Sequence, residues 1–208
     1  MSRAVSRRRL APAALAVLAA AALTAAPAAA SEPSPRCAAD AASRPFLPWL
    51  DFARYVPAPG GDIEEGGAPW TLDGGSSAVE GNEPFKVGGA TDHTSLRLPP
   101  GSSATTAPMC VGVDHPTLRF FARRSAGSLT DALLVEAIVS DSAGEEQALP
   151  VGIVLSLGVW APTQPMPIVV NALAIVPGDT LLVAFRFTPR GSGAWSVDDV
   201  YVDPYRSR

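Results

Sequence analysis

Apolar residues at every second position dominate the latter half of the chain and restrict what it can fold into. In the clearest stretch, Leu181, Val183, Phe185 and Phe187 follow this pattern. A period of two places all four side chains on one face of an extended strand. This stretch is one of six β-type runs separated by turns rich in Gly, Ser or Pro: residues 117–123, 132–141, 146–155, 168–176, 180–188 and 195–202. We therefore predict an all-β protein.

The strand count points to one architecture. Residues 168–176 also suit a short helix, but their β-branched ends and the Pro-Gly turn that follows favour a strand. Short apolar islands between residues 60 and 101 raise the total to about nine or ten strands. A two-sheet antiparallel jelly-roll sandwich buries this many short strands in one domain.

The N-terminus has the composition of a secretory signal peptide. Four arginines precede an apolar run from Leu10 to about Leu23, and small residues surround Ala30. The run is shorter than the about 20 residues of a membrane-spanning helix. We expect a cleaved signal peptide at 1–30, a flexible leader at 31–44 and a single β-sandwich domain at 45–208. The mature protein would then be extracellular, with no membrane span.

Charge and cysteine content agree with export. Removal of residues 1–30, which hold four arginines and no acidic residue, lowers the formal net charge from −4 to −8. An acidic chain with scattered arginines argues against nucleic acid as a partner. The only two cysteines, Cys37 and Cys110, are most simply explained as one disulfide in an oxidising compartment.

Residues 44–59 concentrate aromatic and apolar side chains. This composition favours an edge strand, or a segment that wraps over a sheet and covers it. Core packing is the expected role of its aromatic rings.

Catalytic patterns are weak. The two histidines, His93 and His115, both lie in turn-like sequence, and the chain contains no Gly-x-Ser-x-Gly nucleophile motif. Two histidines without close spacing do not make a transition-metal site by themselves. We expect a protein that is not an enzyme.

Adjacent carboxylates in the last strand need a partner. By strand parity, either Asp198 or Asp199 points inward unless the strand bulges. A buried carboxylate requires a cation, an arginine or several hydrogen-bond donors. Calcium suits the oxygen-rich, Gly-rich composition of residues 60–101. The last strand, residues 195–202, is expected beside the strand that precedes it, residues 180–188, so Arg186 on that strand is the alternative partner. The residues leave both explanations open.

The closing segment, Trp195-Ser-Val-Asp-Asp-Val-Tyr-Val, resembles the last strand of galactose-binding-like jelly rolls. This superfamily includes many carbohydrate-binding modules and MAM-type extracellular domains. The opening is also similar, in Gly61-Asp-Ile-Glu64, Trp70 and Ser95-Leu-Arg-Leu98. The resemblance implies a calcium ion that joins the first and last strands through Glu64 and Asp198. Ile63 replaces the usual Phe of the family.

The resemblance also implies a function. We expect a secreted, monomeric, non-catalytic module that binds a polysaccharide or cell-wall glycan, with a structural calcium ion. Trp70, Trp160 and Tyr201 are the candidate sugar contacts, although no clear trio of exposed loop aromatics is evident. The alternative is a structural or protein-interaction domain at the cell surface that binds no sugar.

Overall fold

A computed structural model describes residues 42–112, 117–140, 145–155, 158–168 and 180–203. They lie within one compact unit, Pro33–Arg208. In them we find thirteen strands and a short 3-10 helix, Leu47–Trp49. The strands are β1 (Val56–Pro57), β2 (Thr71–Asp73), β3 (Ser77–Glu80), β4 (Thr94–Leu98), β5 (Ser103–Thr105), β6 (Met109–Gly112), β7 (Thr117–Ala126), β8 (Ala132–Ser140), β9 (Glu146–Val154), β10 (Ala161–Pro162), β11 (Met166–Pro167), β12 (Thr180–Arg190) and β13 (Ala194–Val202).

Two antiparallel sheets form a sandwich, which confirms the predicted jelly-roll class. The seven-stranded sheet has the order β10-β7-β13-β4-β3, with β1 paired to β13 and β11 paired to β7. The six-stranded sheet has the order β2-β5-β12-β8-β9, with β6 paired to β12. The strand count exceeds the expected nine or ten partly because three strands are only two residues long.

The alternating pattern of β12 fills the main core. Val183, Phe185 and Phe187 are fully buried between the sheets. Phe187 stacks on Trp70 with ring centroids 5.6 Å apart and meets Phe120 edge-on at 5.1 Å. Aromatic pairs of this kind add about 0.5–1.5 kcal/mol beyond the burial of their area.

The last strand lies in a different sheet from its predecessor. We expected residues 195–202 to pair with residues 180–188, and this prediction is wrong, because β13 lies between β7 and β4. The turn between β12 and β13 crosses the sandwich instead of closing a hairpin. Its Gly191 has φ 97°, and a Cβ there would lie 2.1 Å from Oδ1 of Asp131. That carboxylate accepts the N–H of Ser192 at 3.2 Å and of Ser128 at 2.6 Å.

The aromatic segment near the N-terminus covers the seven-stranded sheet, as predicted. Phe46 and Tyr55 are buried against Phe121 of β7 and Tyr201 of β13. An ion pair of 2.5 Å between Asp51 and Arg119 ties the segment to β7. The hydroxyl of Tyr55 donates to the same carboxylate at 2.7 Å, and the guanidinium of Arg119 lies 4.4 Å from the ring centre of Phe46.

Several predictions fall outside the described residues. They concern the signal peptide, Cys37, His115 and all but the first residue of the run 168–176. Cys110 lies in β6, and its pairing with Cys37 stays a prediction. Within the described ranges, no helix is long and apolar enough to cross a membrane.

Candidate functional site

A bulge in β13 determines where its two aspartates point. The register of β13 against β7 shifts between Asp198 and Tyr201, and Asp199 has φ 50°. This extra residue lets both Val197 and Val200 reach the main core, although they are three positions apart. The bulge is therefore present, which is the exception that the strand-parity argument allowed. The aspartates between the valines contact the loop that joins β3 to β4.

Three buried carboxylates converge beside the bulge. Glu83 and Asp92 come from the β3–β4 loop, and Asp199 comes from β13. One oxygen atom of each lies within 4.8 Å of the others, and all three residues are buried. We call this trio the acidic cluster. Its geometry can hold a metal ion.

Backbone groups of the β3–β4 loop fix the cluster. The carboxylate of Glu83 accepts N–H groups from Phe85 and, at 2.6 Å, from Val87. Gly88 allows the loop to approach, since a Cβ there would lie 2.9 Å from Oδ1 of Asp199 and 3.0 Å from Oδ2 of Asp92. The N–H groups of Phe85 and Val87 therefore hold Glu83, and Gly88 lets the loop lie against Asp199, so that like-charged carboxylates are close together.

The environment of the cluster opposes ionisation. Burial, followed by the charge of Asp199, raises the pKa of Asp198 to about 9. Burial, followed by the charges of Asp92 and Glu83, raises the pKa of Asp199 to about 8. Burial and the neighbouring Glu64 carboxylate also raise the pKa of Asp92. All three pKa values are raised because burial and neighbouring carboxylates disfavour the charged form of each group.

Unpaired oxygens remain in the cluster. Both carboxylate oxygens of Asp92 and Oδ2 of Asp199 are buried without a hydrogen-bond partner. The ammonium group of Lys86, which is on the same loop, donates to the backbone carbonyls of Ala90 and Asp92. Unpaired buried carboxylate oxygens are costly, and a cation with several oxygen ligands would satisfy them.

The metal ligands predicted from sequence lie next to this cluster. The carboxylate of Asp198 accepts the N–H of Glu83 at 3.2 Å and of Asp199 at 2.9 Å. Glu64 accepts the N–H of His93 at 2.8 Å and of Thr94 at 2.6 Å. These bonds lower the pKa of Glu64, although burial acts to raise it.

The alternative partner of the aspartates is elsewhere. Arg186 lies in the six-stranded sheet, and its Nε and Nη2 donate to Oε2 of Glu136 at 3.1 and 3.0 Å. Arg186, the alternative partner considered for the aspartates, is therefore excluded in this role. The reason is that β12 and β13 belong to opposite sheets.

The three candidate sugar contacts differ in exposure. Trp70 and Tyr201 are each 7% exposed. Trp70 stacks on Phe187 and donates its indole N–H to the carbonyl of Pro59 at 2.9 Å. Trp160 is half-buried, and the guanidinium of Arg123 lies 5.1 Å from its ring centre. The structure therefore does not bring these three residues together on one exposed surface.

A polar groove runs over the outer face of the six-stranded sheet. Neighbouring strands place Thr71, Thr105, Arg186 and Glu136 in one row across β2, β5, β12 and β8. A cavity of about 460 Å³ lies on one side of Arg186, with Ile138, Leu182 and Ala184 in its lining. A second cavity, of about 290 Å³, shares Arg186 and also contacts Glu136, Thr188 and Arg190. Among the described residues that line either cavity, none is aromatic.

An exposed apolar surface is formed by the segment that covers the other sheet and by the β3–β4 loop. Leu50 and Phe52 are 80% and 65% exposed, and Phe85 is 46% exposed. The ring of Trp49 meets that of Phe85 edge-on at 4.8 Å. We call these four residues the apolar surface.

Comparisons with known proteins identify the fold. No protein-family model matches the sequence, and no curated protein does. Among solved structures, the CBM22-1 and GH10 modules of xylanase 10B from Clostridium thermocellum, crystallised with xylohexaose, are similar with a TM-score of 0.52 at 11% identity. That match covers 75% of this chain and 29% of the xylanase chain, so this protein spans less than a third of its length.

Two further structures are isolated carbohydrate-binding modules. A xylan-binding CBM22 domain has a TM-score of 0.48 at 12% identity, with 76% of this chain and 99% of that chain covered. The module TmCBM61, solved with β-1,4-galactotriose, has a TM-score of 0.43 at 15% identity, with coverages of 70% and 95%. At 11% identity, the xylanase match with its TM-score of 0.52 shows the fold alone, a jelly roll like that of carbohydrate-binding modules. The resemblance seen in the sequence is confirmed at this level.

Sequence reasoning did not single out two members of the acidic cluster. Glu83 and Asp92 are two of many acidic residues between positions 60 and 101, and no ligand spacing distinguishes them. The glycine pair at 88–89 between them is the one local signal, because Gly88 permits the close approach of the loop to both aspartates.

Proposed function

We propose that this protein is a secreted, non-catalytic glycan-binding module whose ligand lies in the polar groove. The observation that carries the proposal is the row from Thr71 to Glu136 above an apolar floor. Hydroxyl groups and one charged pair offer donors and acceptors for sugar hydroxyls, while Ile138 and Leu182 suit the C–H face of a pyranose ring. Xylohexaose, the ligand in the structure of the CBM22-1 and GH10 modules of xylanase 10B, is consistent with a ligand of this kind.

A glycan screen with matched variants tests the groove. The protein is titrated with xylan, β-1,4-galactan and a cell-wall glycan, and then with an Arg186→Met variant. We expect this variant to weaken binding at least about ten-fold, because hydrogen bonds to charged groups contribute about 1.5–3 kcal/mol. Arg54→Met changes an exposed arginine on the segment that covers the opposite sheet and is the control. Equal affinity of the two variants would exclude the groove as the site.

Calcium is the proposed metal, with Glu83, Asp92 and Asp199 as its ligands. An all-oxygen set of carboxylates suits a hard cation better than zinc or copper. Glu64 and Asp198, the pair implied by the family resemblance, stay a prediction as further ligands. A calcium ion here would stabilise the fold by mass action, about 2.7 kcal/mol at one hundred times its dissociation constant. Thermal melting with calcium and with EDTA measures this, and equal midpoints would contradict the proposal.

The apolar surface favours the second candidate function, that of a protein-interaction domain. Exposed apolar residues in a contiguous patch mark interaction sites in soluble proteins. A Leu50→Ser, Phe52→Ser variant distinguishes the two candidates. If it loses binding to a cell-wall fraction while Arg186→Met retains it, the second function replaces the first.

A further inference from the structure

A row of polar side chains crosses the outer face of the seven-stranded sheet, opposite the groove. Strand register pairs Ser77 of β3 with Arg97 of β4, Arg97 with Ser196 of β13, and Ser196 with Arg123 of β7. Arg97 lies between Leu96 and Leu98, both of which are buried in the core, so its own side chain faces outward. The two arginines therefore flank Ser196 on the same face.

Neither arginine has a carboxylate partner among the described residues. Arg97 is exposed, and Arg123 contacts the ring of Trp160. The Nε of Arg123 is buried without an acceptor. A buried donor without a partner is costly, and an anionic oxygen atom would satisfy it.

The spacing suits an anion held between the two guanidinium groups. Neighbouring strands lie about 4.8 Å apart, so the two backbones are separated by roughly twice that distance. Long arginine side chains can converge across this gap, because Ser196 between them is small and buried. Guanidinium groups bind carboxylate and sulfate oxygens in a bidentate manner.

The carboxylate nearest along β13 does not occupy this position. Asp198 is two residues from Ser196, but its Oδ1 and Oδ2 accept the N–H groups of Asp199 and Glu83. Its carboxyl group is thus turned toward the β3–β4 loop. Asp198 therefore does not neutralise the two arginines, of which Arg97 is exposed and Arg123 is partly buried.

We propose that Arg97 and Arg123 form a second binding site, for the carboxylate or sulfate groups of an acidic polysaccharide. The site is independent of the groove, since it lies on the opposite sheet. The formal net charge of −4 works against general attraction of polyanions, so local recognition is needed for binding.

Titration of the full chain with three polymers at physiological salt tests this site. Polygalacturonate carries carboxylates, dextran sulfate carries sulfate esters, and dextran is neutral. We expect at least one polyanion to bind more tightly than dextran. Arg97→Gln and Arg123→Gln should each weaken that binding about ten-fold, and the double variant about one hundred-fold. Arg54→Gln, the exposed control, should change it less than two-fold.

The outcomes are distinct. Preference for polygalacturonate assigns a carboxylate, and preference for dextran sulfate assigns a sulfate ester. If wild-type protein binds neither polyanion better than dextran, or if the double variant binds as tightly as wild type, the site does not exist. Arg186→Met should leave polyanion binding unchanged, so failure of the groove and failure of this site are separable.

Discussion

Replacement of Asp199 by asparagine should change stability in opposite directions with and without calcium. The substitution keeps the size of the side chain and removes one ionisable carboxyl group from the acidic cluster. Asp199 is 1% exposed, and its Oδ2 has no hydrogen-bond partner. The variant therefore tests the charge of the cluster with little effect on packing.

In EDTA, Asp199→Asn should stabilise the protein. The pKa of Asp199 is raised from its usual value of 3.8 to about 8. A carboxyl group with a raised folded-state pKa contributes stability below about pH 4, and this contribution is lost as pH rises toward 8. One pKa unit corresponds to about 1.4 kcal/mol, which gives an upper bound of about 4 kcal/mol at pH 7. Because the coupled carboxylates share protons, we expect a gain of about 2 kcal/mol at pH 7 and none near pH 4.

With saturating calcium, the same variant should be less stable than wild type. Asparagine retains a carbonyl oxygen but loses the charge that attracts the ion. The loss approaches the whole calcium-dependent stabilisation, about 2.7 kcal/mol at one hundred times the wild-type dissociation constant.

Urea unfolding monitored by tryptophan fluorescence measures both effects. Asp73→Asn, on the exposed face of β2, is the matched control and should show neither. If Asp199→Asn destabilises the protein equally in calcium and in EDTA, the aspartate is a structural hydrogen-bond acceptor, and the argument from cluster charge is refuted.

Two further variants test the β3–β4 loop beside the acidic cluster and the ion pair that holds the covering segment on β7. Gly88→Ala places a Cβ about 3 Å from the carboxylates of Asp199 and Asp92, so it should reduce the calcium-induced rise in melting temperature. Gly152→Ala is the control, because Gly152 likewise has no left-handed φ and the nearest atoms to its added Cβ belong to the flexible side chain of Met166. Arg119→Met leaves Asp51 half-buried without its cation and should lower the free energy of unfolding by about 3 kcal/mol at pH 7, as measured in urea. The pKa of Asp51 is lowered in the folded protein, so this loss should shrink as pH falls below about 4, and a loss independent of pH would contradict the ion-pair explanation.

Local patterns in the sequence predict the strands well. The period-two residues of 180–188 and 195–202 correspond to β12 and β13, and the predicted run 117–123 lies within β7. Strand parity also showed that one of the two adjacent aspartates would point inward unless the strand bulged, and the structure has the bulge. These features depend on neighbours in sequence, which a single chain reveals.

Pairings between distant segments are harder to predict. The turn after β12 could close a hairpin or cross to the other sheet, and the choice depends on Asp131, sixty residues earlier. The contact between Glu83 and Asp199 likewise depends on the fold of the β3–β4 loop. The groove was not predicted, because its row of polar side chains comes from four strands whose order the sequence does not show.

The acidic cluster and the polar groove lie on opposite sheets, and this separation limits what a calcium ion can do. Stacked sheets are about 10 Å apart, and the core of Phe120, Phe185 and Phe187 fills the space between them. A cation at Asp199 would join the β3–β4 loop to the last strand without touching a ligand near Arg186. Glycan affinity measured in EDTA, at a temperature where the protein stays folded, should therefore equal the affinity in calcium. A loss of affinity in EDTA without loss of folded protein would show instead that the ion and the groove are coupled.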